Sequence, residues 1–317
     1  MDSRLVTTIT PNPAIDKTYW IPGFTKGINN RVNRLRIDPG GKAINIARIL
    51  GGFGIRVKAL GFFGGNSGKE LLKMLESDNL IIEPIFVQGE TRTNIKIIDW
   101  KLEDETEINE PGPFVTEKEK NFMRQKIDHY AQKSEFLVFA GSLPEGCQAE
   151  YYGELILLAK KYGCRSILDT SEAALKESLR FSPYMIKPNH HELSEIWGRE
   201  ISTETTAAIV AEEFRQAYKI EVIVVSLGGK GAVLACKEGT FHAIPPEIKP
   251  KNTVGAGDSL VAGIIYGLMS GYPLAESLRF GVALGTLTVT ELGTSVLSPD
   301  VKKVSNFMKS VVIRRLD

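Results

Sequence analysis

The sequence predicts an α/β fold, a mostly parallel sheet with helices on both faces and a small β-sheet set apart from it. Three observations carry the prediction. Beyond residue 134, apolar runs such as EFLVFA (135–140) and VIVVS (222–226) alternate with segments of helical period. Strands that read apolar without interruption are buried on both faces, as in a parallel sheet. Polar or glycine-bearing turns close these runs, among them Gly141-Ser142-Leu143-Pro144 and Gly228 to Gly231. Two stretches, 17–37 and 93–109, read as strands that do not fit the strand–helix alternation, so they suit a separate sheet.

The 317 residues suit one large α/β domain or two small ones, with ample length for a buried core. Lys plus Arg number 39 and Asp plus Glu 38, a net charge of +1. Neither nucleic acid nor a charged membrane surface is an expected partner at that balance. Cys147, Cys164 and Cys236 show no CxxC spacing and read as buried free thiols in a reducing compartment. MDSRLVTTIT at the N-terminus lacks an apolar signal core, and no apolar run is long enough to span a bilayer. A soluble cytoplasmic protein is the expectation.

In chain order, strands are expected over 5–10, 17–21 and 30–37, then a helix over 42–50 entered through Pro39-Gly40-Gly41, then a strand over 56–62. Gly64, Gly65 and Gly68 before Lys69 resemble a P-loop. Phe63 stands where GxxxxGK[ST] needs its first glycine, and Glu70 where it needs Ser or Thr, so a glycine loop before a helix over 69–77 is read instead. A hairpin over 93–100 and 106–109 turns at Glu103-Asp104-Glu105. Helices follow over 116–134, 150–162, 173–179, 192–197 and 204–218, interleaved with strands over 135–140, 166–169, 184–187, 222–226 and 232–236. Helices near 259–270, 274–291 and 300–309 end the chain. Ligands of such sheets bind at the C-terminal ends of the strands, so the turns after Ala140, Lys187, Ser226 and Val254 are expected at one edge.

The rest of the chain is organised around NTVGAGDSLVAGII, 252–265. Gly255 and Gly257 remove the Cβ atoms that would keep an anion from the backbone. The N–H groups of Gly255, Ala256 and Gly257 open a helix, have no intrahelical partner, and would point at that anion. Asp258 stands at the lip. The bland alternative is a glycine turn with an Asp cap. A dinucleotide fingerprint fails, because Leu260 stands where the third glycine belongs.

PGGKAINIA (39–47) and NTVGAGDSLVAGI (252–264), in this order and spacing, resemble the two signatures of the ribokinase-like sugar kinases of phosphofructokinase B type. The resemblance runs along essentially the whole chain. TPNPAID (10–16), GETRTNIKI (89–97), TEINEPGP (106–113), AGSLPEG (140–146) and KPNHHEL (187–193) look most like 1-phosphofructokinases and tagatose-6-phosphate kinases, and TEINEPGP tilts toward the former. The resemblance implies one ribokinase-like domain over 1–317 with lid strands within about 15–38 and 92–110. It implies ATP and Mg2+ as cofactors, leaves a monovalent cation open, and implies a homodimer joined through the lid sheets. The implied reaction converts fructose 1-phosphate to fructose 1,6-bisphosphate. Tagatose 6-phosphate or fructose 6-phosphate as substrate is the alternative, and a non-catalytic phosphosugar sensor on the same fold is the alternative from another class.

Residue by residue, the resemblance makes Asp258 the base that orients the acceptor hydroxyl and takes its proton, kept ionised by the helix N-terminus. Gly255, Ala256 and Gly257 become the hole for the transferring phosphoryl group. Asp16, by itself an Asx turn after two prolines, becomes an acceptor for sugar hydroxyls. Gly40, Gly41 and Asn45 line the same site, and Ser142 adds a hydroxyl. Arg31, Lys42 and Arg92 form the implied clamp on the phosphate the substrate already carries. Asn189 and Glu192, an NxxE motif after Lys187-Pro188, are implied to hold Mg2+ through water together with the nucleotide phosphates. Ser226, Gly228 and Gly231 lie in the turn implied to carry the nucleotide, and 281–286, with Gly281 and Gly285, would wall the adenine. His190 and His191, on opposite sides of an extended chain, read as structural. Ala43 replaces the usual glycine of GGKGIN. If that position needs φ > 0, alanine costs about 1 kcal/mol there; otherwise it slightly narrows the sugar site.

Overall fold

A computed structural model describes residues 5–76, 79–102, 104–251, 254–290 and 300–317. Asn252 and Thr253 of the late signature, Ser77 and Glu291 at the ends of expected helices, and Glu103 of the expected acidic turn lie outside the described residues.

Pro11 and Pro13 follow the first strand, β1 (Leu5–Thr10), and the chain turns directly into β2 (Ala14–Trp20) and then β3 (Arg34–Gly40). Helix α1 (Lys42–Gly52) starts behind Gly41, whose φ of 119° suits glycine and few other residues. Next come β4 (Arg56–Gly64), α2 (Gly65–Met74), β5 (Leu80–Val87), β6 (Arg92–Asp99) and β7 (Asp104–Asn109). Thr116 and Glu119 form a capping box at the start of α3 (Glu117–Ala131). The alternating part follows: β8 (Ser134–Ala140), α4 (Tyr151–Lys161), β9 (Arg165–Asp169), α5 (Glu172–Leu179), β10 (Met185–Ile186), α6 (His190–Trp197), α7 (Glu204–Tyr218) and β11 (Val222–Ser226). A hairpin, β12 (Ala232–Cys236) with β13 (Gly239–Ile244), leads to α8 (Ala256–Met269), α9 (Leu274–Thr288), α10 (Val301–Met308) and β14 (Val312–Arg315).

Ten strands form the main sheet in the order β14-β13-β12-β11-β10-β9-β8-β1-β4-β5. From β11 to β5 every pairing is parallel, and the three pairings beyond β11 are antiparallel. The period of two along each strand divides the core between the faces. Phe136, Val138, Ala140, Val222 and Val224 pack under α1, α8, α9 and α10. Leu137, Phe139, Ile223 and Val225 pack under α3 to α7. The small sheet, in the order β3-β2-β6-β7, stands apart. Its central pair, β2 and β6, is parallel and its outer pairs are antiparallel. Among the described residues, no helix is long and apolar enough to cross a membrane.

Four expectations need correction. The glycines at 64–68 do not form a loop: α2 begins at Gly65, and the Glu90 carboxylate accepts from the N–H groups of Asn66 (3.2 Å) and Ser67 (2.8 Å), so a side chain already fills that anion position. Strands β5, β13 and β14 were not anticipated. His190 and His191 start a helix with ring centroids 3.9 Å apart, so they lie side by side. Cys147 is half-buried, while Cys164 and Cys236 are buried; all three are free.

The approach of α8 to α9 is a backbone contact. A Cβ on Gly263 would meet Gly281 Cα at 2.6 Å, and one on Gly281 would meet the Leu260 carbonyl oxygen at 2.6 Å. Gly281→Val therefore forces the helices apart. We expect it to destabilise the fold by about 1–3 kcal/mol, read as a lower denaturant midpoint; an unchanged midpoint would show that the helices do not touch here.

Candidate active site

A cavity of about 610 Å³ opens at the C-terminal ends of β8, β9 and β10 and is roofed by the small sheet. Its floor is the start of α8. Gly255 is the cap residue in the left-handed region (φ 78°), and Asp258 lies in the first turn. Asp258 is buried, and its Oδ2 accepts from Asn45 Nδ2 in the first turn of α1 at 2.8 Å. Burial sets this carboxyl above the ordinary range, at about 6; the Asp169 charge adds to the rise, and Lys42, Asn45 and Lys187 pull the other way.

Asp169, at the end of β9, holds two lysines. Its Oδ1 lies 3.1 Å from Lys42 Nζ and 3.4 Å from Lys187 Nζ, and its buried Oδ2 has no hydrogen-bond partner. Burial alone would raise the Asp169 carboxyl, but Lys187 and Lys42 outweigh it, and the group is held below its ordinary value. Lys42 is raised, chiefly by Asp169.

The roof carries a second set of charges. Asp16 of β2 accepts from Asn94 Nδ2 of β6 at 2.9 Å, and the two residues face each other in register. A Cβ on Gly40 would run into the Asp16 carboxylate, so glycine is what lets β3 pass this side chain. Burial raises Asp16. Arg92 donates to the Asn12 carbonyl from Nε (3.3 Å) and Nη2 (3.2 Å), and to the Glu110 carbonyl from Nη1 (3.2 Å), so main-chain oxygens aim its charge. Asn12 Nδ2 donates to the Pro111 carbonyl (2.9 Å) and to Ser142 Oγ (3.3 Å), tying the end of β1 to the turn after β8.

The structure gathers Asp16, Gly41, Lys42, Asn45, Arg92, Ser142, Lys187, Gly255, Gly257 and Asp258 around this cavity, with Gly40 and Ala256 beside them in the chain. Arg31 does not join them: it is exposed, in the stretch before β3, and Arg36 of β3 lines the cavity, paired with Asp38 at 2.7 Å. Asn189 and Glu192 form a capping box on α6, each side chain accepting from the other's N–H at 2.8 Å. The Ser226 N–H donates to the Pro188 carbonyl at 3.1 Å, so the NxxE turn and the turn of Ser226, Gly228 and Gly231 are neighbours, outside the wall of the cavity. Gly281 packs against α8, and Gly285 faces the Ala256 carbonyl, 3.1 Å from where its Cβ would be; neither lines this cavity. Ala43 is helical and buried, with no positive φ, so the position carries no backbone strain.

Sequence reasoning missed Asp169, Asn12 and Asn94. Asp169 had a signal, since it ends an apolar strand at the edge where ligands of such sheets bind. Asn94 had none, because its partnership with Asp16 depends on the register of two strands from distant segments. Chemically, the floor combines a carboxylate that titrates near neutrality, an open helix N-terminus and two ammonium groups, a set suited to removing a proton beside an anion. We expect the Asp258 carboxyl to titrate near 6 in carbon-13 NMR, its resonance assigned by loss in Asp258→Asn. A midpoint near the ordinary 3.8 would mean that the helix N-terminus outweighs burial.

Comparison with known proteins gives one consistent result. The model for the pfkB family carbohydrate kinases matches residues 2–301. The chain is 36% identical over 305 residues to 1-phosphofructokinase of Bacillus subtilis (strain 168), covering 94% of this chain and 99% of that protein. It is 34% identical over 301 residues to tagatose-6-phosphate kinase of Staphylococcus epidermidis, covering 93% and 96%. Phosphofructokinase-2 from Escherichia coli in complex with fructose-6-phosphate superposes with a TM-score of 0.87 at 28% identity, over 97% of this chain and 98% of that one. The sheet, the roof and the two signatures that meet at the floor of the cavity thus have one explanation: the chain belongs to the pfkB family of carbohydrate kinases, with a ribokinase-like fold.

Proposed function

We propose that the protein transfers the γ-phosphoryl group of ATP to fructose 1-phosphate, giving fructose 1,6-bisphosphate. The observation that carries this reading is the polarity of the cavity, with Asp258 and its anion hole on the floor and a carbonyl-aimed Arg92 beside Asp16 in the roof. A doubly functional substrate suits that layout: its own phosphate meets Arg92, its hydroxyls meet Asp16, and its free primary hydroxyl reaches Asp258. That hydroxyl's oxygen bonds to the γ-phosphorus, the bond to the β,γ-bridging oxygen breaks with its electron pair left on ADP, and Asp258 takes the proton. The N–H groups of Gly255, Ala256 and Gly257 hold the charge that builds on the equatorial oxygens.

Asn189 and Glu192 each spend a side-chain oxygen on capping α6, and among the described residues no cluster of three His, Cys, Asp or Glu encloses a metal site. That donor set fits Mg2+ held through water and carried in with the nucleotide, and not a dry protein cage. Bound there, magnesium would offset phosphate charge. The tagatose 6-phosphate reading has its own support in the tagatose-6-phosphate kinase relative.

The outer face of the small sheet suits a homodimer. Leu35 and Ile37 of β3 and Ile108 of β7 alternate away from the cavity and are 48%, 40% and 53% exposed. A two-fold pairing would cover them. Trp20 is turned to the cavity instead, with the Arg34 guanidinium 4.8 Å from its ring.

A coupled assay over fructose 1-phosphate, fructose 6-phosphate and tagatose 6-phosphate tests the reaction, with the highest kcat/KM expected for the first. Activity on none of them would overturn the reading. Asp258→Asn should lower kcat on the order of 10²–10⁴-fold, and wild-type kcat/KM should fall about tenfold per pH unit below about 6 as the base is protonated. A variant retaining a tenth of the rate would remove Asp258 from the role. Light scattering at micromolar concentration should give twice the chain mass, and Leu35→Glu or Ile108→Glu should halve it. A monomeric wild type would defeat the pairing.

A further inference from the structure

Lys42 does not share the surroundings of Arg92. Lys42 Nζ lies 3.1 Å from Asp169 Oδ1 at the end of β9, whereas Arg92 of β6 donates to the Asn12 and Glu110 carbonyls. The two cations therefore belong to opposite ends of the cavity. At the floor, a single oxygen, Asp169 Oδ1, sits within 3.1 Å of Lys42 Nζ and 3.4 Å of Lys187 Nζ. The Lys187 ammonium also lies over the anion hole, 3.5 Å from where a Cβ on Gly257 would be. The Lys42 side chain is 40% exposed toward the cavity, and the Asp169 side chain beneath it 1%. An ammonium group fixed from below by a buried carboxylate and open above is placed to meet an anion arriving from the cavity. The unpartnered Asp169 Oδ2 gives either lysine a second oxygen to follow if it shifts.

We propose that Lys42 acts on the phosphoryl group in transfer, aimed there by Asp169 as a positioning residue, and is not part of the clamp on the sugar's own phosphate. This rests on the phosphoketohexose kinase reading above. As the acceptor oxygen bonds to the γ-phosphorus and the bridging bond breaks toward ADP, charge builds on the bridging oxygen and the equatorial oxygens. Lys42 and Lys187 donate N–H hydrogen bonds to that charge and neither gains nor loses a proton. Asp258 alone takes the hydroxyl proton. Two fixed donors at the place where charge develops lower the barrier more than they tighten ground-state binding.

The test is steady-state kinetics of the full chain with Lys42→Met, Lys42→Arg, Asp169→Asn and Arg92→Ala beside wild type. Loss of one charge-assisted contact is worth roughly 10- to 150-fold. Lys42→Met should lose that factor in kcat with the KM for phosphosugar within about threefold, Lys42→Arg should recover most of it, and Arg92→Ala should do the reverse, raising KM with kcat kept. Asp169→Asn should lower kcat similarly, and the double variant with Lys42→Met should lose little more, as residues of one unit do. The groups facing Asp258 are Asp169, Lys42, Lys187 and Asn45. Losing the Asp169 charge should move the acid limb of kcat/KM to lower pH, and losing the Lys42 charge should move it to higher pH. A packing role would not shift the limb in opposite directions. If Lys42→Met raises the phosphosugar KM and spares kcat, Lys42 returns to the clamp and the proposal fails. If Asp169→Asn leaves kcat and the limb unmoved, the positioning role fails. A wild type inactive on every phosphoketohexose would instead refute the reaction.

Discussion

One hydrogen bond joins the two signatures. Asn45 and Asp258 are 213 residues apart, and their side chains meet at 2.8 Å where the first turns of α1 and α8 come together. The rest of the architecture makes that meeting reproducible. Gly41 sets the entry of α1, whose Ala43, Ile46 and Ala47 sit on the same face of the sheet as Val261 and Ile264 of α8. Behind α8, the glycine contact with α9 fixes its depth to within the space that a methyl group would fill. A carboxylate held by packed helices on a ten-stranded sheet has little freedom to drift, which is what the role proposed for Asp258 requires.

The electrostatics of the floor follow from its dryness. Asp258 and Asp169 are both buried, and Lys42 and Lys187 offset them charge for charge. The balance is uneven, since the lysines contact Asp169 and only influence Asp258. Asp169 therefore falls below its ordinary value while Asp258 rises to about 6. An acid whose folded-state value is raised binds protons better folded than unfolded, so stability falls as pH climbs from 3.8 to about 6. Above that window the ionised Asp258 opposes folding. The fold tolerates an ionised carboxylate that it would be more stable without.

Much of this was legible because burial writes itself into composition. EFLVFA and VIVVS could be read as inner strands, and the glycines of the GAGD turn as a helix start open to an anion. The outer elements were harder. LIIEPIFV interrupts its apolar residues with Glu83 and Pro84, because β5 is an edge strand with one side unpaired. The Arg92 assignment rested on resemblance, and its main-chain carbonyl partners came from folding. Asp169 shows the limit of local reading: its significance lies in two lysines brought to one oxygen from α1 and from the end of β10, and no spacing along the chain encodes that. The contact of Gly281 with α8 was not legible either, because a buried glycine looks the same in sequence whether it borders a ligand or a neighbouring helix.

The small sheet has a topology with a consequence of its own. Its strands come from two stretches, 14–40 and 92–109, and α1, β4, α2 and β5 of the main body lie between them. The seam where the stretches meet is the parallel pairing of β2 with β6, which is also where Asp16 finds Asn94. The roof is therefore not an insertion that a single recombination event could exchange. A crossover between residues 40 and 92 would mate half a roof from one parent with half from another, across the hydrogen bond that orients the Asp16 carboxylate. At the seam itself, a change on β2 meets its partner on β6 in register, so the two stretches have to match there.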